Sequence, residues 1–573
     1  MAAIRVKPLG ALAIIYPLLH QKLQLAHIID EIIPPSNGNL VTNGRACPAR
    51  AAEIMVANIC IARQPLYRMQ NWVNDHNIGP LYKVRPEYLN DDRLGRLLEV
   101  IYEHEEQLKS ALMLQLCRQF KVTPQQFHYD ITQYFLVGEF KDQQEEAVQI
   151  TYGNRQITPY RKEVKLSLSV SNKEGIPFYY QSLNGNADGK RALRANLEAC
   201  LELMEKFCPP GEILMVSDSG NYSLENAAFM MNRNIGFIAA QTITSTYEKL
   251  FFEATATKNF EPIEYVPLRD VNKPEEQQDK YWGLETSHTF THKGKVHSLR
   301  VLFFKSERLQ QQRVKQRKKH VTKIVDRLRQ ISRSIEKGAS YYQDRQRVQQ
   351  QVDKLLSKNP ARKFFDISVI EKSTDNGKTR PLVQWRIKKE VVKRTKKLEG
   401  VFMRHTNLDA DKYHLSRILN YYKGQDRVEK CHATIKNPLH ITPMFLHKNT
   451  RIQGMHFLVF VALVTYAVIE MYYKKALREG LVDELEAKIS KNKPKKSGEK
   501  TSRLIGKRAQ NIFQMFGLLH LIYKKDDQGR YCIEIEDYTT IQLRILSWMN
   551  IDRPRLSWFS PNNEYLEPYF APG

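Results

Sequence analysis

The chain has 573 residues, 42% hydrophobic and 26% charged, enough to build packed cores in roughly three or four domains. Lysine and arginine total 88 against 62 aspartate and glutamate, a net charge of +26 and a pI near 9.5 that favour a polyanionic partner, either nucleic acid or an anionic membrane surface. Seven scattered cysteines (Cys47, Cys60, Cys117, Cys200, Cys208, Cys431, Cys532), with no C-x-x-C and no zinc spacing, argue against a disulfide framework or a zinc centre and read as reduced thiols in a cytosolic compartment.

Residues 1–118 read as helical. Leu9–Ile33 carries apolar residues in helical clusters. Its core, Ala11–Leu19, is short and lacks a small-residue cleavage site, so no signal peptide is expected. The P-P-S-N-G-N run from Pro34 is a turn. Helices are predicted over 45–62, 66–72 and, as one longer unit, 91–120. Helices this short can hold a helix-turn-helix, and equally a packed core.

From Thr123 the pattern alternates. Phe127, Tyr129, Ile131, Phe135 and Val137 face one way; His128, Asp130, Thr132 and Tyr134 face the other. This predicts a strand with Asp130 in its middle. Further strands are predicted over 164–171 and 176–183, then the N-G-N-A-D-G turn and a helix over 192–207. Ile213–Val216 is a continuous apolar run that suits a buried strand. It ends in S-D-S-G-N, and Ser223 caps the next helix. Asp218 therefore falls at the carboxyl end of a buried strand, where α/β sheets hold their ligands. Alone, either aspartate reads as a turn or capping residue. A β-β-β-α-β order with acids on the first and fourth strands is more specific.

Residues 237–400 mix strand-like pieces (298–304, 365–370, 383–387) with a basic helical region. Val321, Ile324, Leu328, Ile331 and Ile335 recur at the spacing of a coiled-coil seam. Gly338 breaks it, and Val348, Val352 and Leu355 suggest a returning helix. The reading is a helical hairpin within a β-rich insertion. Arg313–Lys319 (R-V-K-Q-R-K-K) is either a solvated face or a phosphate-contacting one. A strand over 401–406 and a helix over 413–422 follow.

Tyr422–Lys436 is expected as one helix, with Tyr422, Gln425, Glu429, His432 and Lys436 on one face and Val428, Cys431 and Ile435 on an apolar stripe beside it. Taken alone it is an ordinary amphipathic helix. Phe457–Ile469 is apolar but too short to span a bilayer, so it is expected as a buried helix and no membrane protein is anticipated. A mixed tail follows from Ala476, with a lysine-rich linker at Lys491–Lys500, a strand over 531–535 and a helix over 539–549.

Asp130, Asp218 and Glu429 match the layout of an RNase H-like nuclease core. That chemistry uses hard oxygen ligands to hold two Mg²⁺ ions about 4 Å apart. No P-loop or zinc signature competes. Further motifs sharpen the reading: R-Q-P-L-Y-R-M-Q-N-W at Arg63–Trp72, L-N-D-D-R-L-G-R at Leu89–Arg96, H-Y-D-I-T from His128, Y-G-N from Tyr152, S-D-S-G from Ser217 and T-N-L-D from Thr406. With them, from Leu9 to about residue 550, the chain resembles a bacterial insertion-sequence DDE transposase of the IS-four superfamily, in its branch with a long amino-terminal helical region. The family signature Y-x2-R-x3-E-x6-K is matched by Tyr422, Gln425, Glu429 and Lys436, with Gln425 standing where the pattern has arginine.

The resemblance implies an α/β chain: a helical amino-terminal domain (1–118) for DNA-end binding, an RNase H-like core in two parts (119–240 and 399–475), an insertion with β-strands and a basic helical hairpin (241–398), and a carboxy-terminal domain for DNA binding or dimerisation (476–573). It implies cleavage of transposon ends and their joining to target DNA. Asp130, Asp218 and Glu429 would hold two Mg²⁺ ions, with Mn²⁺ able to substitute. Tyr422 and Lys436 would grip phosphates, with Lys423 and Arg427 adding charge nearby. In relatives a tryptophan of the insertion stacks on a flipped base, so Trp282 and Trp385 are candidates, although each also reads as a core or sheet residue. The implied partners are double-stranded DNA, as inverted repeats and target, and a second copy on DNA. The implied location is the bacterial cytoplasm at the nucleoid. An inactive or domesticated transposase-derived DNA-binding protein and a basic coiled-coil scaffold are the rival readings.

Overall fold

The computed structural model describes residues 3–33, 47–76, 78–153, 161–207, 211–267, 269–357, 359–373, 379–442, 444–481, 505–525 and 531–559. The expected turn from Pro34 and the lysine-rich linker lie outside them, as does Cys208. The protein is a mixed α/β structure. Its chain divides into one unit of Met1–Ala239 with Tyr421–Gly573 and a second of Ala240–Asn420.

Strand β1 (Ala3–Pro8) precedes the helices and had no sequence signal of its own. It pairs antiparallel with His520–Lys525, whose other edge takes Tyr531–Ile535. The helices are α1 (Leu12–Pro17), α2 (Leu25–Ile32), α3 (Pro48–Ile61), α4 (Met69–Asp75), α5 (Ile78–Tyr82), α6 (Asp91–Glu103) and α7 (Glu105–Phe120). The unit expected over 91–120 is two helices, because the backbone leaves helical geometry at His104. Asn90 caps α6 by accepting the Arg93 N–H.

The sheet of this unit is built from β2 (Gln126–Leu136), β3 (Thr151–Tyr152), β4 (Lys162–Ser171), β5 (Pro177–Asn184), β6 (Leu214–Ser217) and β7 (Gly236–Gln241), with α8 (Gly189–Phe207) and α9 (Leu224–Asn232) between. β2 lies between β4, antiparallel to it, and β6, parallel to it. β7 continues parallel beyond β6, and β5 and the short β3 lie along the outer edge of β4. The order is β5–β4–β2–β6–β7. Both faces of β2 are covered: Phe127 and Tyr129 are buried on one, His128, Thr132 and Tyr134 on the other.

In the second unit the elements are α10 (Ser245–Thr257), β8 (Glu261–Ile263), β9 (Tyr281–His292), β10 (Lys295–Ser306), α11 (Glu307–Glu336), α12 (Arg345–Ser357), β11 (Phe365–Ser373), β12 (Thr379–Ile387), α13 (Lys389–Leu398) and β13 (Val401–Thr406). Strands β13, β10, β9 and β8 form an antiparallel run onto which α10 packs through Tyr247, Phe251 and Ala254. The heptad seam of α11 is real, but the chain fills it from within. Ile324, Leu328, Ile331 and Ile335 bury against Val348 and Val352 of α12 and against Phe365, Val369 and Val383 of the β11–β12 hairpin. The start of α11 is pinned by the buried Asp279, which accepts from Ser306 Oγ and the Arg308 N–H.

The chain then returns through α14 (Leu415–Lys423) to α15 (Asp426–Lys436) and α16 (Asn449–Arg478). α16 is long and apolar enough to cross a membrane, yet 89% of that apolar window is buried inside the fold, including every residue from Phe457 to Ile469. It contacts helices and sheet alike. A Cβ on Gly454 would stand 2.1 Å from the Leu98 carbonyl oxygen, so glycine alone lets α16 approach α6 this closely. Arg451 and Lys448 reach Glu99 at 2.7 and 3.0 Å, and Tyr466 Oη donates to the Cys60 carbonyl at 2.9 Å. On the sheet side, His456 is buried between the Tyr134 hydroxyl and Ser182 Oγ.

Burial pushes the His456 pKa from 6.5 down to about 3. Between those values the unfolded chain binds a proton that the folded protein refuses. The stability contributed is therefore full above pH 6.5 and is lost as pH falls, by up to about 1.4 kcal/mol per unit. In His456→Gln the stability difference between about pH 7.5 and about pH 5, read by urea unfolding, should shrink by about 2 kcal/mol. An unchanged difference would show that His456 is not held neutral.

Candidate active site

The site is organised around a helix break that periodicity did not reveal. Tyr422–Lys436 is two helices: α14 stops at Lys423, and α15 starts after Gly424 and Gln425. The backbone turns tightly there, with Gly424 N donating to the Tyr421 carbonyl and Gln425 N to that of Tyr422, each at 3.0 Å. Glycine is required sterically, since a Cβ on Gly424 would lie 2.2 Å from Arg427 Nη1 and 2.8 Å from His128 Nε2.

Gln425 is buried instead of facing outward with Glu429. Its Oε1 accepts from His128 Nδ1 at 3.1 Å, and its Nε2 donates to the Tyr129 carbonyl at 3.2 Å. His128 Nε2 lies 2.9 Å from the Asn172 side-chain amide. Burial pushes His128 down to about 4, so the ring is neutral at physiological pH. One glutamine thus ties the start of α15 to the two residues of β2 that precede Asp130.

With α15 held there, two carboxylates act on a third, Asp130. Asp130 is half-buried, at 24% side-chain exposure, whereas Asp218 and Glu429 are exposed. Burial raises the Asp130 pKa, and the charges of Asp218 and Glu429 raise it further; the Ile131 N–H and Asn221 oppose them, leaving it at about 6. Asp218 follows the last residue of β6, and the Ser219 N–H donates to its Oδ1 at 2.7 Å. Asn221, three residues on, donates from Nδ2 to Asp130 Oδ1 at 3.2 Å and so links the Asp218 loop to β2. Asn226 fixes that loop by donating to the carbonyls of Asn221 and Lys190.

The remaining residues of the expected stripe divide. His432 is buried, with Nδ1 3.6 Å from Asp130 Oδ2; burial first, then Lys436, pushes its pKa down to about 3, so it meets Asp130 as a neutral ring. Lys436 is lowered by partial burial and pulled back by Asp130, which sets a cation beside the carboxylates. Tyr422 and Lys423 are half-buried at the end of α14, and Arg427 lies against Gly424 and His128. In the other unit, Trp282 of β9 lies beneath Lys305, and Trp385 of β12 packs against the core of the helical hairpin. Among the described residues, no group of three His, Cys, Asp or Glu side chains stands close enough to cage a metal ion. Asp218 and Glu429 are each within electrostatic reach of Asp130 without closing into a cluster.

Asn221, His128 and Asn172 had no role in the sequence reading. Asn221 and His128 stood inside quoted motifs, S-D-S-G-N and H-Y-D-I-T, but no spacing rule relates an amide or an imidazole to a carboxylate elsewhere in the chain. Replacing Gln425 with Ala leaves His128 Nδ1 without its acceptor and removes the amide that donates to the Tyr129 carbonyl, an expected loss of about 1–3 kcal/mol in denaturant unfolding. An unfolding midpoint like that of the parent protein would contradict the role given to this side chain.

Residues 4–114 match a family described as a domain of unknown function, DUF4277, well under half of the 573 residues. No curated protein matches the sequence. Among solved structures the chain is similar to the piggyBac transposase in a synaptic complex with hairpin DNA. The identity is 8% and the TM-score 0.31, over 90% of this chain and 82% of that one. At that level the likeness assigns neither fold nor activity.

Proposed function

We propose that this chain is a Mg²⁺-dependent DNA transposase of the insertion-sequence type, with Asp130, Asp218 and Glu429 on an RNase H-like core. One observation carries the reading: acids separated by 88 and by 211 residues in sequence (218 − 130 and 429 − 218) both press on the Asp130 carboxyl. The strand order β5–β4–β2–β6–β7, with β4 antiparallel to β2 and β6 and β7 parallel to it, supports the same reading. So does the family resemblance of the motifs around these residues.

The donor set suits a hard divalent cation. All three groups are carboxylates, two are exposed, and neutralising their repulsion would return Asp130 toward the ordinary carboxylate range. Bound Mg²⁺ would supply charge neutralisation at the attacking and leaving phosphate oxygens. The chain's own residues do the rest. Asn221 holds one Asp130 oxygen so that the other stays directed toward His432 and the open side. Lys436, with Tyr422, offers contact to a phosphate of the strand being cut. Phosphoryl transfer asks mainly for this positioning. Water attacks a phosphodiester at the transposon end and the P–O3′ bond breaks, freeing a 3′-hydroxyl; that hydroxyl then attacks a target phosphodiester, whose own P–O3′ bond breaks and whose 3′-oxygen leaves with the proton. Gln425, where the family pattern has arginine, acts inside the fold and leaves phosphate contact to its neighbours. The inverted-repeat ends and target duplex are the proposed DNA partners, with a second copy of the chain on the paired ends.

The test is cleavage of matched inverted-repeat ends in Mg²⁺ or Mn²⁺. Asp130→Ala, Asp218→Ala and Glu429→Ala should each reduce cleavage by at least about 10³-fold while end binding stays within a few-fold of the parent. Robust cleavage by any of the three sinks the assignment. Binding without cleavage by the parent chain would point instead to a transposase-derived DNA-binding protein.

A further inference from the structure

The basic run Arg313–Lys319 plays no part in the carboxylate site, and the inserted unit sets it in a larger surface. From Arg308 to Val325 α11 contains no acidic residue. Arg317, in the middle of the run, is withdrawn from solvent: it makes a paired contact with the buried Glu399, Nε to Oε1 at 2.6 Å and Nη2 to Oε2 at 3.2 Å. Glu399 caps the end of α13, so this ion pair brings the basic part of α11 to the basic end of α13. A third segment joins them: Asn359 Nδ2 donates to the His320 carbonyl at 3.4 Å, and the Lys388 N–H donates to the Phe364 carbonyl at 2.8 Å.

The cations around this junction are exposed: Lys315, Lys318 and Lys319 on α11, Arg362 in the joining segment, Lys393 and Lys396 on α13. Among the described residues no carboxylate pairs with any of the six, although α13 pairs other cations, such as Arg394 with Glu248. Holding like charges together costs energy, which an external polyanion would offset. No large apolar side chain is exposed on α11 or α13. Val391 and Val392 of α13 turn inward onto the hairpin core. A membrane-binding surface would carry an apolar face for the acyl boundary, and this one does not. From Arg313 to Lys323, α11 runs about 15 Å, a length over which duplex DNA presents about nine phosphates. Lysine is a point charge without the planar fork that reads guanine, so five of the six contacts suit the backbone and not the bases.

We propose that the α11–α13 face of the inserted unit is a sequence-independent docking surface for the phosphate backbone of duplex nucleic acid. It operates whether or not the carboxylates cut, and the Arg317–Glu399 pair sets its geometry without itself touching the ligand.

The experiment measures binding of the full chain to a labelled duplex of scrambled sequence across a salt series. Lys315→Ala/Lys318→Ala/Lys319→Ala and Lys393→Ala/Lys396→Ala are compared with the parent and with Asp130→Asn. Each phosphate contact contributes about 0.9 to the slope of log affinity against log salt, so the triple variant should flatten the slope by about 2–3 and the double variant by about 1–2. Because these side chains are exposed and unpaired, melting temperatures should stay within about 2 °C of the parent. Asp130→Asn should keep the parental slope. Unchanged slopes in both lysine variants overturn the inference, even if the parent cleaves DNA. Flattened slopes with no cleavage by the parent support it and count only against the transposase reading. A loss of binding to phosphatidylserine vesicles with duplex affinity retained also overturns it, in favour of a membrane surface.

Discussion

The arrangement of the site depends on one buried contact. Gln425 sits between α14 and α15, accepts from the His128 ring and donates to the Tyr129 carbonyl. β2 runs directly on from there to Asp130. Holding its two preceding residues from the start of α15 sets the distance between helix and strand, and with it the position of Glu429 relative to Asp130. Inside the fold an unpaired imidazole or carbonyl costs about as much as a lost hydrogen bond. The contact is therefore strongly preferred once α15 is in place. A side chain that one pattern would send out to a ligand is used here to hold the frame.

Around that frame, charges are balanced with little slack. Asp130 is driven upward by burial and by two neighbouring acids, while Lys436 is driven downward by partial burial and pulled back toward its charged form by Asp130. His432 is kept neutral against Asp130, so the nearest imidazole does not cancel the negative charge. Asp218 and Glu429 remain exposed beside it. The second unit holds the opposite sign on its α11–α13 face, built by a different device: a buried Arg317–Glu399 pair that fixes two cationic helices together. In both places a buried pairing sets the geometry and exposed charges are left for a ligand.

Much of this was legible from residue patterns. Period-two alternation located β2 to within a residue, the apolar run Ile213–Val216 located β6, and Ser223 capped α9 as its type suggests. The heptad seam of α11 was also plain, since Ile324, Leu328, Ile331 and Ile335 are all buried. The seam's partner was not: its spacing describes a face and not what covers it. β1 was invisible because six residues with one weak alternation become a strand only by pairing with His520–Lys525, more than 500 positions away. The bend at Gly424 was hidden because the stripe Tyr422–Lys436 satisfies helical spacing whether or not one residue steps out of register.

The sequence alone determined β2, β6, the seam of α11, the buried character of Phe457–Ile469, the basic charge and which acids deserved attention. Those properties follow from nearest-neighbour preference and periodicity, which need no knowledge of distant residues. Only the tertiary structure decided that Gln425 turns inward, that Asn221 spans from the Asp218 loop to Asp130, and that Arg317 is spent on Glu399 while its neighbours stay exposed. Each of these is a hydrogen bond or ion pair between residues 82 or more positions apart. Such pairing is chosen by burial, where an unsatisfied polar group is costly, and burial exists only once the chain has folded.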